Sequence, residues 1–76
     1  MSMEIQRTVL RFKRPVGSKS LPTSRAMFNA LMLLSEAEEL EPLFSEAENK
    51  GKVVAIEVFH NRDGQPILIH FGREDA

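Results

Sequence analysis

The chain has no cysteine, tryptophan or tyrosine among its 76 residues. Without cysteine it forms neither disulfides nor thiolate metal sites. A chain this short buries only about 60% of the surface that its unfolded form exposes, and small domains usually offset that deficit with disulfides, a metal or self-association. The composition therefore favours efficient packing or an oligomer, and the missing cysteines are typical of a reducing compartment.

Long apolar runs are also missing. The longest, around Leu31–Leu34, is far short of the roughly 20 residues that a membrane span needs. The first residues, Met1–Glu4, carry an acid where a signal peptide would carry a base. We therefore expect a single cytoplasmic domain, residues 1–76, that does not contact a membrane.

Catalytic motifs are scarce. No serine lies in a G-x-S-x-G motif, and a serine separates Gly17 from Lys19, unlike the phosphate-binding loop. The only histidines are His60 and His70. In one register of the last two strands His70 lies opposite Glu57, but one histidine and one glutamate are too few for zinc. We expect no catalytic residue, no cofactor and no metal.

Residues 4–14 alternate with period two and are predicted to form a strand. Thr8, Leu10 and Phe12 share one face. The other face carries Arg7, Arg11 and Lys13 together with Ile5 and Val9. A half-apolar outer face indicates partial cover or a bound partner. Residues 15–22, between two prolines, are predicted to form a loop.

Residues 23–50 are predicted to form one long helix, capped by Thr23 or Ser24 and stopped by Lys50 and Gly51. Its apolar residues recur at steps of four and three, which indicates one continuous seam: Ala26, Ala30, Leu33, Ala37, Leu40, Phe44 and Ala47. Pro42 interrupts the seam, because it removes a hydrogen bond and crowds the preceding turn. Either the helix kinks there or a second helix starts at Pro42, and the unbroken seam favours the kink.

Residues 52–60 and 66–71 are predicted to be strands joined by a turn at 61–65, with residues 72–76 as a tail. Asp63-Gly64 is a strong hairpin signal. A two-residue turn would place Val58 opposite Ile69, and a four-residue loop would place Val58 opposite Ile67. Both registers put the apolar residues of the two strands on one face, whereas a three-residue loop would not and is discounted.

The predicted fold is therefore an α+β domain of order β-α-β-β. Three strands form a sheet, and one long helix, with a break or kink near Pro42, packs on one face. Pro66 cannot donate to a strand ladder, so the last strand is a candidate edge.

Charge is separated along the chain. Residues 1–25 hold six basic residues and one acidic residue, whereas residues 26–50 hold six acidic residues and one basic residue. The basic segment could contact phosphates through a set of side chains on the first strand and the following loop: Arg7, Arg11, Lys13, Arg14 and Lys19. No aromatic residue shares their face, and the whole chain has a net charge of −1, so nucleic-acid binding is the alternative hypothesis.

The first half of the helix is apolar on all sides, which is typical of a helix buried on more than one side. A three-stranded sheet covers one side only. The surplus side chains are the candidate partner-binding site: Met27, Phe28, Leu31 and Met32. We expect a non-enzymatic protein-interaction module that forms a homodimer through this surface. In the other interpretation, the 15–22 loop covers Phe28 and Met32 with Val16 and Leu21.

Overall fold

A computed structural model describes residues 4–13 and 24–75. The elements follow the order β-α-α-β-β. In chain order they are β1 (Gln6–Phe12), α1 (Arg25–Glu36), α2 (Leu40–Asn49), β2 (Lys52–His60) and β3 (Pro66–Asp75). The loop predicted at 15–22 lies outside the described residues.

The three strands form an antiparallel sheet in the order β1-β2-β3. β2 is central, and β3 is an edge strand, as Pro66 predicted. Thr8, Leu10 and Phe12 pair with Val58, Ile56 and Val54. Because side chains alternate along a strand, these six residues share one face of the sheet.

The predicted single helix is wrong, because the chain forms two helices separated at Ala37–Glu39. Glu38 adopts the left-handed conformation, with φ 59°. The Glu39 N–H then donates to the Leu34 carbonyl, and the Glu38 N–H donates to the Ser35 carbonyl. These two bonds form a Schellman motif, which satisfies free carbonyls at the end of α1 and turns the chain away from its axis.

Pro42 neither kinks a helix nor begins one, since it is the third residue of α2. The N–H groups of a first helical turn have no partner within the helix, so a proline there removes no bond. The seam predicted across both helices is broken as well. Leu33 and Ala37 are exposed, because each helix turns its own stripe towards the sheet.

The β2–β3 hairpin uses the three-residue loop that the sequence argument discounted. The Asn61 N–H donates to the Gln65 carbonyl, and the Gly64 N–H donates to the Asn61 carbonyl. Gly64 has φ 84°, as expected for a tight turn closed by a left-handed residue. His60 then pairs with Pro66, while Phe59 pairs with Leu68.

Ile67 is therefore an extra residue in β3, a β-bulge at the register shift beside Phe59 and His60. The bulge restores the pairing of Val58 with Ile69 and of Ile56 with Phe71. Ile56 and Val58 consequently share a face with Ile69 and Phe71 despite the odd loop length.

Both helices pack on the same face of the sheet. The core contains side chains from β1, both helices and β2: Phe12, Met27, Ala30, Leu34, Leu43, Ala47, Val54, Ile56 and Val58. Phe12 and Phe44 meet edge to face, with ring centroids 5.5 Å apart. Among the described residues, no element covers the opposite face of the sheet, where Ile5 and Val9 are exposed.

Candidate functional site: the outer side of helix α1

Helix α1 presents three large apolar side chains on the side away from the sheet. Phe28 is 56% exposed, and Met32 and Leu33 are each 48% exposed. Phe28 and Met32 are four residues apart, so they lie one turn above each other on one side of the helix. Leu33 projects about 100° around the helix from Met32 and borders the same exposed side. We call Phe28, Met32 and Leu33 the outer apolar patch.

The opposite side of α1 is buried. Ala26, Met27, Ala30 and Leu34 contribute to the core or its border. The assignment of Met27 to the candidate partner surface therefore needs correction, because Met27 is only 2% exposed. Leu31 is partly buried against the core. Of the four predicted residues, the structure leaves Phe28 and Met32 accessible together.

Leu33 was missed because the sequence pattern assigned it to the buried seam. That assignment assumed that one axis runs through Ala37 and Leu40. The signal that could have found Leu33 is the pair Met27 and Leu34, seven residues apart, which are buried together with Ala26 and Ala30. Their burial shifts the buried stripe of α1 towards the Met27 side and leaves Leu33 at its edge.

Local contacts fix the position of α1. The Ser24 hydroxyl caps its N-terminus, accepting from the Met27 N–H at 3.2 Å, and the Asn29 side-chain amide donates to the Gly64 carbonyl at 2.9 Å. A Cβ at Gly64 would lie 3.0 Å from Arg25 Cγ and 3.2 Å from the Ala26 nitrogen. The hairpin turn thus packs closely on the first turn of α1, and the patch is carried by a firmly held helix.

Val16 and Leu21, the residues predicted to cover Phe28 and Met32, lie outside the described part of the chain. That interpretation stays a prediction. Among the described residues, Phe28 borders a groove that also contains Arg25, Asn29, Asp63 and Gln65. The neighbourhood of Phe28 is therefore polar on the side of the hairpin turn.

The basic first strand is largely paired with carboxylates. Arg7 donates to Glu57 on β2, and Arg11 donates to Glu74 on β3 at 2.6 Å. Lys13 is exposed, while Arg14 and Lys19 fall outside the described residues. The two strand arginines already have anionic partners, which weakens the case for phosphate contacts by Arg7 and Arg11.

The two histidines lie on opposite faces of the sheet. His60 is 6% exposed, with Nε2 2.7 Å from the Thr8 hydroxyl and Nδ1 2.9 Å from the Asn61 carbonyl. Because a carbonyl only accepts, Nδ1 carries the proton of that bond. Both ring nitrogens are satisfied within the fold, so His60 has a structural role.

His70 lies on the exposed face, opposite Glu57 as one of the two predicted registers placed it. Its Nδ1 is 3.5 Å from Glu57 Oε1, and its ring meets Phe59 edge to face at 5.8 Å. Glu57 also pairs with Arg7. Within residues 4–13 and 24–75, no three His, Cys, Asp or Glu side chains come together in a group that could hold a metal ion.

Comparison of the chain with protein-family models, curated proteins and solved structures returns no match. No helix in the described part of the chain is long and apolar enough to cross a membrane.

Proposed function

We propose that this chain is a protein-interaction module that associates with a second copy of itself through the outer apolar patch of α1. One observation carries the proposal: the patch is about half exposed on a helix whose other side is fully used by the core. Methionine and phenylalanine at a surface are suited to adaptable protein contacts.

The size of the chain supports a second copy as the partner. A domain of 76 residues without cysteine has a limited core, and self-association is one of the few ways to bury more apolar surface. In a symmetric dimer the same patch on each copy is covered by its counterpart. A single patch on the chain therefore supplies both halves of the dimer interface.

The contact should be weak. A 12-residue helix offers fewer side chains than the 20–30 residues that each partner contributes to an interface of standard size. We therefore expect a dissociation constant on the order of tens of micromolar, typical of small and transient interfaces.

Two leucines of equal exposure provide a matched test. Leu33 on α1 and Leu68 on β3 are both 48% exposed, but they lie on different elements. We expect Leu33→Gln to weaken self-association in sedimentation equilibrium at least tenfold, whereas Leu68→Gln leaves it within about threefold. Circular dichroism checks that both variants keep the fold.

A wild-type chain that stays at 8.6 kDa up to millimolar concentration would remove the proposal. So would a dimer that Leu68→Gln disrupts and Leu33→Gln leaves intact, because the interface would then lie on the sheet. Nucleic-acid binding remains the alternative prediction, and no contact of the described residues favours it.

A further inference from the structure

Two opposite charges flank the outer apolar patch of α1. Arg25 is the first residue of the helix and Glu36 is the last, and both are exposed. Eleven residues separate them, which is close to three full helical turns, so they project from the same side of the helix. Phe28, Met32 and Leu33 lie between them on this side.

The order of these side chains is self-complementary when read in opposite directions. A two-fold axis midway between Ala30 and Leu31 pairs each residue of one copy with the residue equally far from that midpoint in the other. Arg25 then meets Glu36, Phe28 meets Leu33, and Asn29 meets Met32. A symmetric dimer requires this reciprocity, in which each contact occurs twice.

We infer that two copies pair their α1 helices antiparallel in this register, with Arg25 of each copy facing Glu36 of the other. The inference rests on the proposed self-association and specifies its geometry. In a parallel pairing, Arg25 would face Arg25 and Glu36 would face Glu36, which places like charges together at both ends. Charge complementarity therefore selects the antiparallel arrangement.

The dimensions of a helix pair allow these contacts. Packed helices lie about 8–10 Å apart, which arginine and glutamate side chains can span. Each charged residue is about 8 Å along the axis from the midpoint, given a rise of about 1.5 Å per residue. A shallow crossing angle near 20°, the angle found in coiled coils and most four-helix bundles, would keep the ends of the two helices close.

The absence of cysteine makes disulfide trapping a clean test, since each variant carries one thiol. In the antiparallel register, two Cys side chains at position 32 lie only about 4.5 Å apart along the axis, whereas two at position 36 lie about 16 Å apart. Disulfides do not bridge residues with Cα atoms more than about 7 Å apart. Met32→Cys should therefore cross-link to itself, and Glu36→Cys should not.

Mixing Arg25→Cys chains with Glu36→Cys chains provides the second arm. The antiparallel register brings these two positions together, so the mixed disulfide should form at least tenfold faster than either self-disulfide. A Glu48→Cys variant is the control, because Glu48 is an exposed residue on α2. It should not cross-link faster than a free thiol at the same concentration.

The outcomes distinguish a wrong helix register from an absence of self-association. If Met32→Cys and Glu36→Cys both cross-link readily to themselves, the helices pair in parallel, so the register is wrong while self-association through α1 stands. If neither cross-links and sedimentation shows a single copy, the proposed function fails together with the register. Only a Met32→Cys self-disulfide with a mixed 25–36 disulfide supports the antiparallel pairing.

Discussion

The two sides of the molecule use the same residue types for different purposes. Met27 and Met32 are five residues apart on α1, yet Met27 is buried in the core and Met32 is half exposed. His60 and His70 are both on the β2–β3 hairpin, yet His60 is buried with both nitrogens bonded and His70 lies on the open face. The role of each of these residues therefore depends on which side of its helix or strand it occupies, and not on residue type alone.

The largest expected effect separates the two methionines. Met27→Ala should lower the free energy of unfolding by about 2–5 kcal/mol, because it leaves a cavity in the core. Met32→Ala should change it by no more than about 0.5 kcal/mol, as is usual for a surface site. Urea unfolding followed by circular dichroism, at a concentration where the chain is monomeric, measures both.

Met27→Ala could leave too little folded protein to measure in so small a domain. Met27→Leu conserves volume and should cost less than about 1.5 kcal/mol. Equal losses for Met27→Ala and Met32→Ala would contradict the assignment of opposite sides of α1 to core and surface.

The two histidines give the next largest difference. His60→Ala removes the partners of the Thr8 hydroxyl and the Asn61 carbonyl, and it should cost about 1–3 kcal/mol, the usual penalty for a buried polar group left without a partner. His70→Ala removes an exposed pair with Glu57 and an edge-to-face contact with Phe59, and it should cost no more than about 1 kcal/mol. Thermal unfolding of the two variants shows which one loses more stability. A larger loss for His70→Ala than for His60→Ala would contradict this prediction.

The smallest expected effect is on the turn between α1 and α2. A substitution in this turn leaves both sides of α1 unchanged. Glu38 has a positive φ, which costs a residue with a side chain about 1 kcal/mol relative to glycine. Glu38→Gly should therefore stabilise the fold by about 0.5–1 kcal/mol.

Glu39→Gly is the matched control for that change. Glu39 is the next exposed residue and has φ −98°, so glycine offers it no relief and should slightly destabilise the fold. Chemical denaturation distinguishes the two variants. A loss of stability in Glu38→Gly would show that the left-handed turn does not form in solution.

β1 and β2 could be predicted from the sequence because their period of two is visible in residues 6–12 and 52–60. The tail predicted at 72–76 is wrong for residues 72–75, because these residues pair with residues 52–55 and extend β3 to Asp75. The bulge at Ile67 could not, because it compensates for a loop length that only the Asn61–Gln65 hydrogen bond reveals. The break between the helices was missed because Glu38 is not a residue that usually adopts a left-handed turn. The apolar seam, which continues through the sequence of both helices, gave no sign of the break.

The candidate site was predicted in part. An apolar excess in α1 was evident from the sequence, and it led to Phe28 and Met32. Which side carried the excess depended on the direction of the helix axis, and the break at Ala37–Glu39 changed that direction. Met27 and Leu33 therefore exchanged the surface and core positions that the pattern had given them.

The most direct test of the central claim is methyl NMR of the four methionines as the protein concentration rises from about 10 µM to 1 mM, a range that spans the expected dissociation constant. The Met32 methyl signal should shift with concentration and show contacts to the second copy, while the buried Met27 signal stays constant. A Met32 signal that does not move over this range, in a particle of 8.6 kDa, would contradict self-association through α1.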